Sequence, residues 1–254
     1  MWVSEMVNGC GLKDWGKNSR IIHATAANPN SAFKFQEATL PVWAHNAAPV
    51  RAPKTHTACP GCYYLFHIGS GNGGSPVKCD NMTTPHTAPL AASGGWSSLV
   101  HRAKTPAGPW EPLPSIPKTG CNNPAPAFAK NGTLYVLCSS SSIWRSSEPT
   151  SAAAWQKVVS VNLNDSPWTG GKPSPFLKVE DPYLYQDKNG NWHLLVHLYD
   201  YRDGWPVNPN QTMPVLVSGH AYSMDLTTWG YRSACCYAMP VPAVMPVRAA
   251  TLCC

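Results

Sequence analysis

Hydrophobic runs in which aromatic and aliphatic residues alternate lie on both sides of a polar turn, Lys178–Tyr185 before Gln186-Asp187-Lys188-Asn189-Gly190 and Asn191–His197 after it. Two alternating runs around an Asn-Gly turn predict a tight antiparallel hairpin, because Gly and Asn accept the positive φ of the connection. The same construction recurs upstream as Asn122–Phe128, then Asn131-Gly132, then Thr133–Leu137. The distance from Pro124 to Gly132 equals that from Pro182 to Gly190. A looser copy is His45–Val50, a longer connection, and Gly61–Phe66. In this alignment Tyr64, Tyr135 and His193 fall at one position of the repeat.

Each hairpin is accompanied by a second repeated piece, a strand that begins at Ser and leads to a bulky aromatic. The copies are Ser19–Ala24 before Phe33, Ser98–Ala103 before Trp110, Ser142–Ser146 before Trp155, and Ser218–Ser223 before Trp229. One unit therefore holds an inner strand, a turn, a second strand and outer strands that end on the aromatic. Four strands recurring at this spacing describe a propeller blade packed on its neighbours through apolar faces.

Composition agrees with this pattern. The 254 residues are 43% hydrophobic and 13% charged, enough for a sizeable core in one domain. With 26 Pro, 19 Gly, 11 Trp and 10 Tyr, short strands and turns are favoured over helices. No run is long and apolar enough to span a bilayer as a helix. The net charge of +6 comes from scattered Lys and Arg, which reads as a solvated surface and not as a nucleic-acid footprint. Ten Cys and four glycosylation sequons, at Asn81, Asn131, Asn164 and Asn210, favour an oxidising, secretory history. Met1 is followed by no signal peptide, so secretion is expected only of a form that starts upstream.

Blades that open with an acid-x-Pro strand, with His-Ala-x-Ser or Gly-Pro-Trp outer strands, resemble the five-bladed β-propellers of glycoside hydrolase family 43. The resemblance covers about Trp2 to Trp229. It implies an all-β, five-bladed propeller that is incomplete here, with about three full blades and part of a first, over residues 1–230. Met1–Met6 reads as the tail of a second strand, so the first inner strand is missing. Residues 231–254 are expected to form an irregular tail, best explained by a gene model cut or shifted at its 3′ side. In that family a catalytic-base Asp, a pKa-tuning Asp and a general-acid Glu sit on inner strands of the first, third and fourth blades. Glu180-Asp181-Pro182 matches the Glu-x-Pro motif of the last, which implies Glu180 as the acid. Asn123-Pro124 stands where the family has Asp-Pro. The implied activity is inverting hydrolysis of a plant- or microbial-type polysaccharide or oligosaccharide, and the alternative is a catalytically inactive carbohydrate-binding propeller. A protein-interaction propeller of the WD or kelch class is disfavoured, because those blade signatures are lacking.

His45, Asn46, Asn123, Asp181 and His197 are the expected substrate contacts beside Glu180, since inner strands open at the axial end where propeller ligands bind. Asp181 should point away from Glu180 on a regular strand. Cys59-Pro60-Gly61-Cys62 admits half of a zinc site, a redox motif or a disulfide; no partner ligands follow, so a turn disulfide, or a bridge to Cys79, is expected. Asp14 precedes an outer strand and is not expected to be catalytic. Ser139–Ser142 shows no nucleophile-elbow motif. Tyr199–Pro206 is an aromatic loop suited equally to stacking on sugars or to packing as a lid, and 69–96 is a long loop or insertion. No cofactor is expected; an axial calcium, as in some relatives, stays open. The expected partner is a carbohydrate, with no nucleic acid, no membrane span and a monomeric chain.

Overall fold

The repeated hairpins form antiparallel sheets in which chain order is spatial order. In this computed structural model the described residues are 1–11, 15–69, 98–114, 116, 121–138, 142–161, 177–200 and 217–235. For residues 17, 177–180, 197–200, 217–218 and 231–235 the description covers the backbone only.

The first sheet has three strands, β1 (Trp2–Met6), β2 (Ser19–Thr25) and β3 (Lys34–Leu40). The second has β4 (His45–Arg51), β5 (Tyr63–Ile68), β6 (Ser98–Ala103) and β7 (Glu111–Leu113). The third has β8 (Ala125–Phe128), β9 (Leu134–Leu137), β10 (Ser142–Ser146) and β11 (Gln156–Ser160). The fourth has β12 (Leu177–Gln186), β13 (Trp192–Asp200), β14 (Val217–Ser223) and β15 (Gly230–Cys235). Three four-stranded blades and one three-stranded blade form an incomplete propeller. β15 runs to Cys235 as the edge of the fourth blade, so residues 231–235 are part of a strand, and 236–254 lie outside the described residues. The aromatic of each unit also sits differently: Phe33, Trp110, Trp155 and Trp229 stand one residue before the outermost strand and do not end it.

Strand alternation sends one face of each blade backwards and the other forwards, and the clusters follow that division. Trp2, Ile21 and Leu65 pack between the first and second blades, with Trp110 against them. Tyr64, Phe66, Leu134 and Val136 pack between the second and third, with Trp155. Tyr135 and Leu137 meet Trp192, Leu194 and Val196 between the third and fourth, with Trp229. Each Trp thus closes the joint with the preceding blade. Burying a Leu or Phe fully contributes about 1.5–3 kcal/mol, so these joints dominate cohesion.

Tyr64, Tyr135 and His193 do occupy one repeat position, opposite Val50, Ala127 and Tyr185 on the inner strands. They are opposite Arg102, Arg145 and Tyr222 on the third strands. A fourth member, absent from the sequence alignment, is Trp2, which pairs with His23 and stacks on its ring at 4.7 Å.

Candidate functional site

The inner strands β4, β8 and β12 begin at the same end of the blades, and each departs from regular strand geometry there. Ala48 pairs with Phe66, Ala125 with Leu137 and Tyr183 with Leu195. Two residues upstream of those pairs lie Asn46, Asn123 and Asp181, with φ of 54°, 46° and 41°. Asn and Asp tolerate this left-handed backbone better than other non-glycine residues. The register shifts between His45 and Ala48 and between Glu180 and Tyr183, which marks a bulge where strict alternation fails.

The three left-handed positions converge on a pocket of about 240 Å³. It is lined by residues 46–49, 123–126 and 181–183 from three different blades. The Asn46 amide donates to the side-chain oxygen of Asn123, which is 8% exposed. The Asn46 backbone N–H donates to the hydroxyl of Ser4 on β1, tying the second blade to the first. Asp181 is exposed at the pocket wall, where the bulge places it beside Asn46 and Asn123. Tyr183, 61% exposed, completes the lining with an aromatic ring, tilted at 37° to that of Tyr185 with centroids 5.8 Å apart. Sequence reasoning missed Tyr183; its signal was an aromatic immediately after acid-x-Pro.

His45 is not among the pocket-lining residues. The Ser19 hydroxyl donates to the Ala44 carbonyl at 2.8 Å, so it accepts the Nδ1–H of His45 at 2.7 Å. The ring lies 4.9 Å from that of Trp15, and burial lowers its pKa to about 4, which leaves it neutral at pH 7. Glu180 takes the register position of His45: it pairs with His197 as His45 pairs with Ile68. The side chains of Glu180 and His197 lie outside the described residues, as do Asp14, Cys79, 139–141, 201–206 and 236–254.

Cys59 and Cys62 are joined to each other in the hairpin connection of the second blade, and Cys121 is joined to Cys138 at the axial end of the third. Among the described residues no group of three His, Cys, Asp or Glu side chains could hold a metal ion.

The sequence matches no protein-family model and no curated protein. The fold does match solved structures. An endo-arabinase from Bacteroides thetaiotaomicron VPI-5482 superposes with a TM-score of 0.54 at 15% identity, over 84% of this chain and 71% of that one. A family 117 glycoside hydrolase of Zobellia galactanivorans gives 0.52 at 14%, over 87% and 56%. An exo-β-1,3-galactanase of Phanerochaete chrysosporium with β-1,3-galactotriose gives 0.50 at 14%, over 91% and 49%. The chain thus spans from about half to about seven tenths of their length. Its all-β propeller architecture resembles that of these solved structures, and the described residues build three four-stranded blades and one three-stranded one.

Proposed function

We propose that the axial pocket takes a glycan and that the chain is a glycoside hydrolase-like protein. The observation that carries this reading is the convergence of Asn46, Asn123 and Asp181, at equivalent positions of three blades, on one pocket with Tyr183 beside them. Amides and a carboxylate exchange hydrogen bonds with hydroxyls, and an aromatic face suits the apolar face of a sugar ring. Glu180, on the bulged strand β12, is the general acid of this reading. An inverting enzyme sets its acid roughly 6.5–9.5 Å from a carboxylate that activates water, and different blades around one axis supply such separations. The base would come from the inner strand of the first blade, which lies outside these sheets.

A second reading, a propeller that binds glycans without cleaving them, is favoured by Asn123, an amide where the family pattern has a carboxylate. Turnover of aryl arabinosides, xylosides and galactosides decides between the two. The assay compares this chain with a longer form that adds the first inner strand and a fifth blade. Under the hydrolase reading the longer form turns over, and Glu180→Gln lowers its rate about 10²–10⁴-fold, least for activated leaving groups that need no proton. Turnover indifferent to Glu180→Gln would place the chemistry on another residue. No turnover in the longer form, with glycan binding retained, would establish the second reading.

A further inference from the structure

At the opposite end of the inner strands, where the hairpins turn, lies a broader groove of about 1270 Å³ that the axial site does not use. Its walls come from the ends of β4, β6, β8 and β12, and it presents Arg51, Lys54, Lys104 and Lys130 with no carboxylate among its lining residues. All four cations are exposed. Elsewhere the described arginines near carboxylates are matched: Arg20 with Glu5 and Arg102 with Glu111. In the groove none of the four has an ion-pair partner among the described residues. The neighbouring acids are engaged elsewhere. Asp187 accepts the backbone N–H groups of Asn189 and Asn191, both at 2.8 Å, and faces His193, while Glu148 takes the Thr150 hydroxyl.

Two of the cations are held in place. The Arg51 guanidinium lies 5.4 Å from the centre of the Tyr63 ring and donates to the Gly61 carbonyl at 3.4 Å. The Lys130 ammonium donates to the Lys188 carbonyl, and its backbone N–H donates to Gln186 at 3.0 Å. The Cys59–Cys62 bridge closes the connection that forms one wall. We propose that this groove binds an anionic polysaccharide, a chain carrying carboxylates or sulfates, on the end of the propeller opposite the axial pocket. Several separated point charges suit charges distributed along a chain. Single-stranded nucleic acid is bound on successive aromatic platforms, whereas Phe128 is the one aromatic among the lining residues.

The test uses the full chain and fluorescently labelled oligogalacturonate, chondroitin sulfate oligosaccharide, neutral galacto-oligosaccharide and a DNA 12-mer. Binding is followed by fluorescence polarisation at 20 mM and 500 mM salt, and folding of each variant is checked by thermal melting. One or both anionic glycans should bind at low salt and weaken at high salt, as screening requires. The triple substitution Lys54→Gln, Lys104→Gln, Lys130→Gln should weaken that binding at least tenfold while leaving neutral-oligosaccharide binding unchanged. Preference for oligogalacturonate or for chondroitin sulfate identifies the anion. The proposal is overturned if neither anionic glycan binds, if the folded triple variant binds them as tightly as the parent, or if DNA is bound more tightly than both.

Discussion

Asn46 and Asn123 stand at equivalent positions of adjacent blades, both in left-handed backbone, and the amide of the first donates to the side-chain oxygen of the second. The pair fixes two walls of the axial pocket through one bond. Asn46→Ala removes that bond and puts an alanine at φ 54°, so it should lower unfolding stability by about 2–3 kcal/mol. Asn46→Gly relieves the backbone and loses only the bond, for about half that cost. Urea midpoints of the two variants separate the contributions, and equal losses would show that the left-handed backbone is not strained.

The joint between the second and third blades depends on Gly132. It has φ +85°, and a Cβ there would lie 2.5 Å from the Thr55 carbonyl oxygen. That carbonyl belongs to the connection carrying His56, whose Nδ1–H donates to the Gly132 carbonyl at 2.8 Å. Its Nε2 therefore accepts the Tyr64 hydroxyl at 2.9 Å. Gly132→Ala should cost about 2–4 kcal/mol from clash and strain together. Gly190→Ala, with φ +96° but nothing closer than 4.0 Å, should cost only the backbone part. Denaturation midpoints check the order, which a larger loss at residue 190 would reverse.

Acid should weaken the chain through a buried histidine pair. His67 Nδ1–H donates to the Ile68 carbonyl at 3.1 Å, and Nε2 accepts the Nδ1–H of His101 at 3.1 Å, so both rings are neutral. Burial, with His101 beside it, lowers the His67 pKa to about 3. The unfolded chain takes up a proton near pH 6.5 that the folded chain refuses. Stability is thus full above that pH and falls as pH drops towards 3, by up to about 1.4 kcal/mol per unit from His67. Melting temperatures between pH 7.5 and 4.5 should show the fall. His67→Leu should reduce the slope, leaving the share that buried His45 and His101 contribute, and an unchanged slope would assign the fall to other groups.

The Cys121–Cys138 bridge closes a loop of sequence separation 17 around β8 and β9. In the loop-closure account a loop of this size is worth about 3 kcal/mol. The double variant Cys121→Ala, Cys138→Ala should lower stability by that order. It should also loosen Asn123, two residues from Cys121. Amide hydrogen exchange at residues 121–125 reads the second effect, and unchanged protection there would separate the bridge from the pocket.

Much of the fold was legible because turns and spacing repeat. Gly132 and Gly190 mark equivalent hairpins, and the Ser-led strands mark the next element of each blade. Trp2 escaped because no hairpin precedes it, so its place among Tyr64, Tyr135 and His193 appears only in its pairing with His23. The aromatics before the outermost strands were recognised as a repeat, but their role in closing the joint with the preceding blade is a tertiary fact. At the site, Asn46, Asn123 and Asp181 were legible as residues before Pro or at a strand start. The bulge between Glu180 and Tyr183 was not legible, since a bulge leaves no signature in residue period. His45 was expected at the pocket because it opens an inner strand, whereas its neighbours are Ser19 and Trp15 of the first blade.

The central claim, that the axial pocket takes a glycan, is tested most directly by following the side-chain amide signals of Asn46 and Asn123 by NMR. β-1,3-Galactotriose and an arabino-oligosaccharide of similar length would be titrated into the full chain. The account predicts that at least one of these sugars shifts both amide signals in saturable fashion, and that Asp181→Asn with Tyr183→Ala weakens binding at least tenfold. Saturable binding of either sugar that leaves both amides unmoved, or no binding at millimolar concentration, would contradict it.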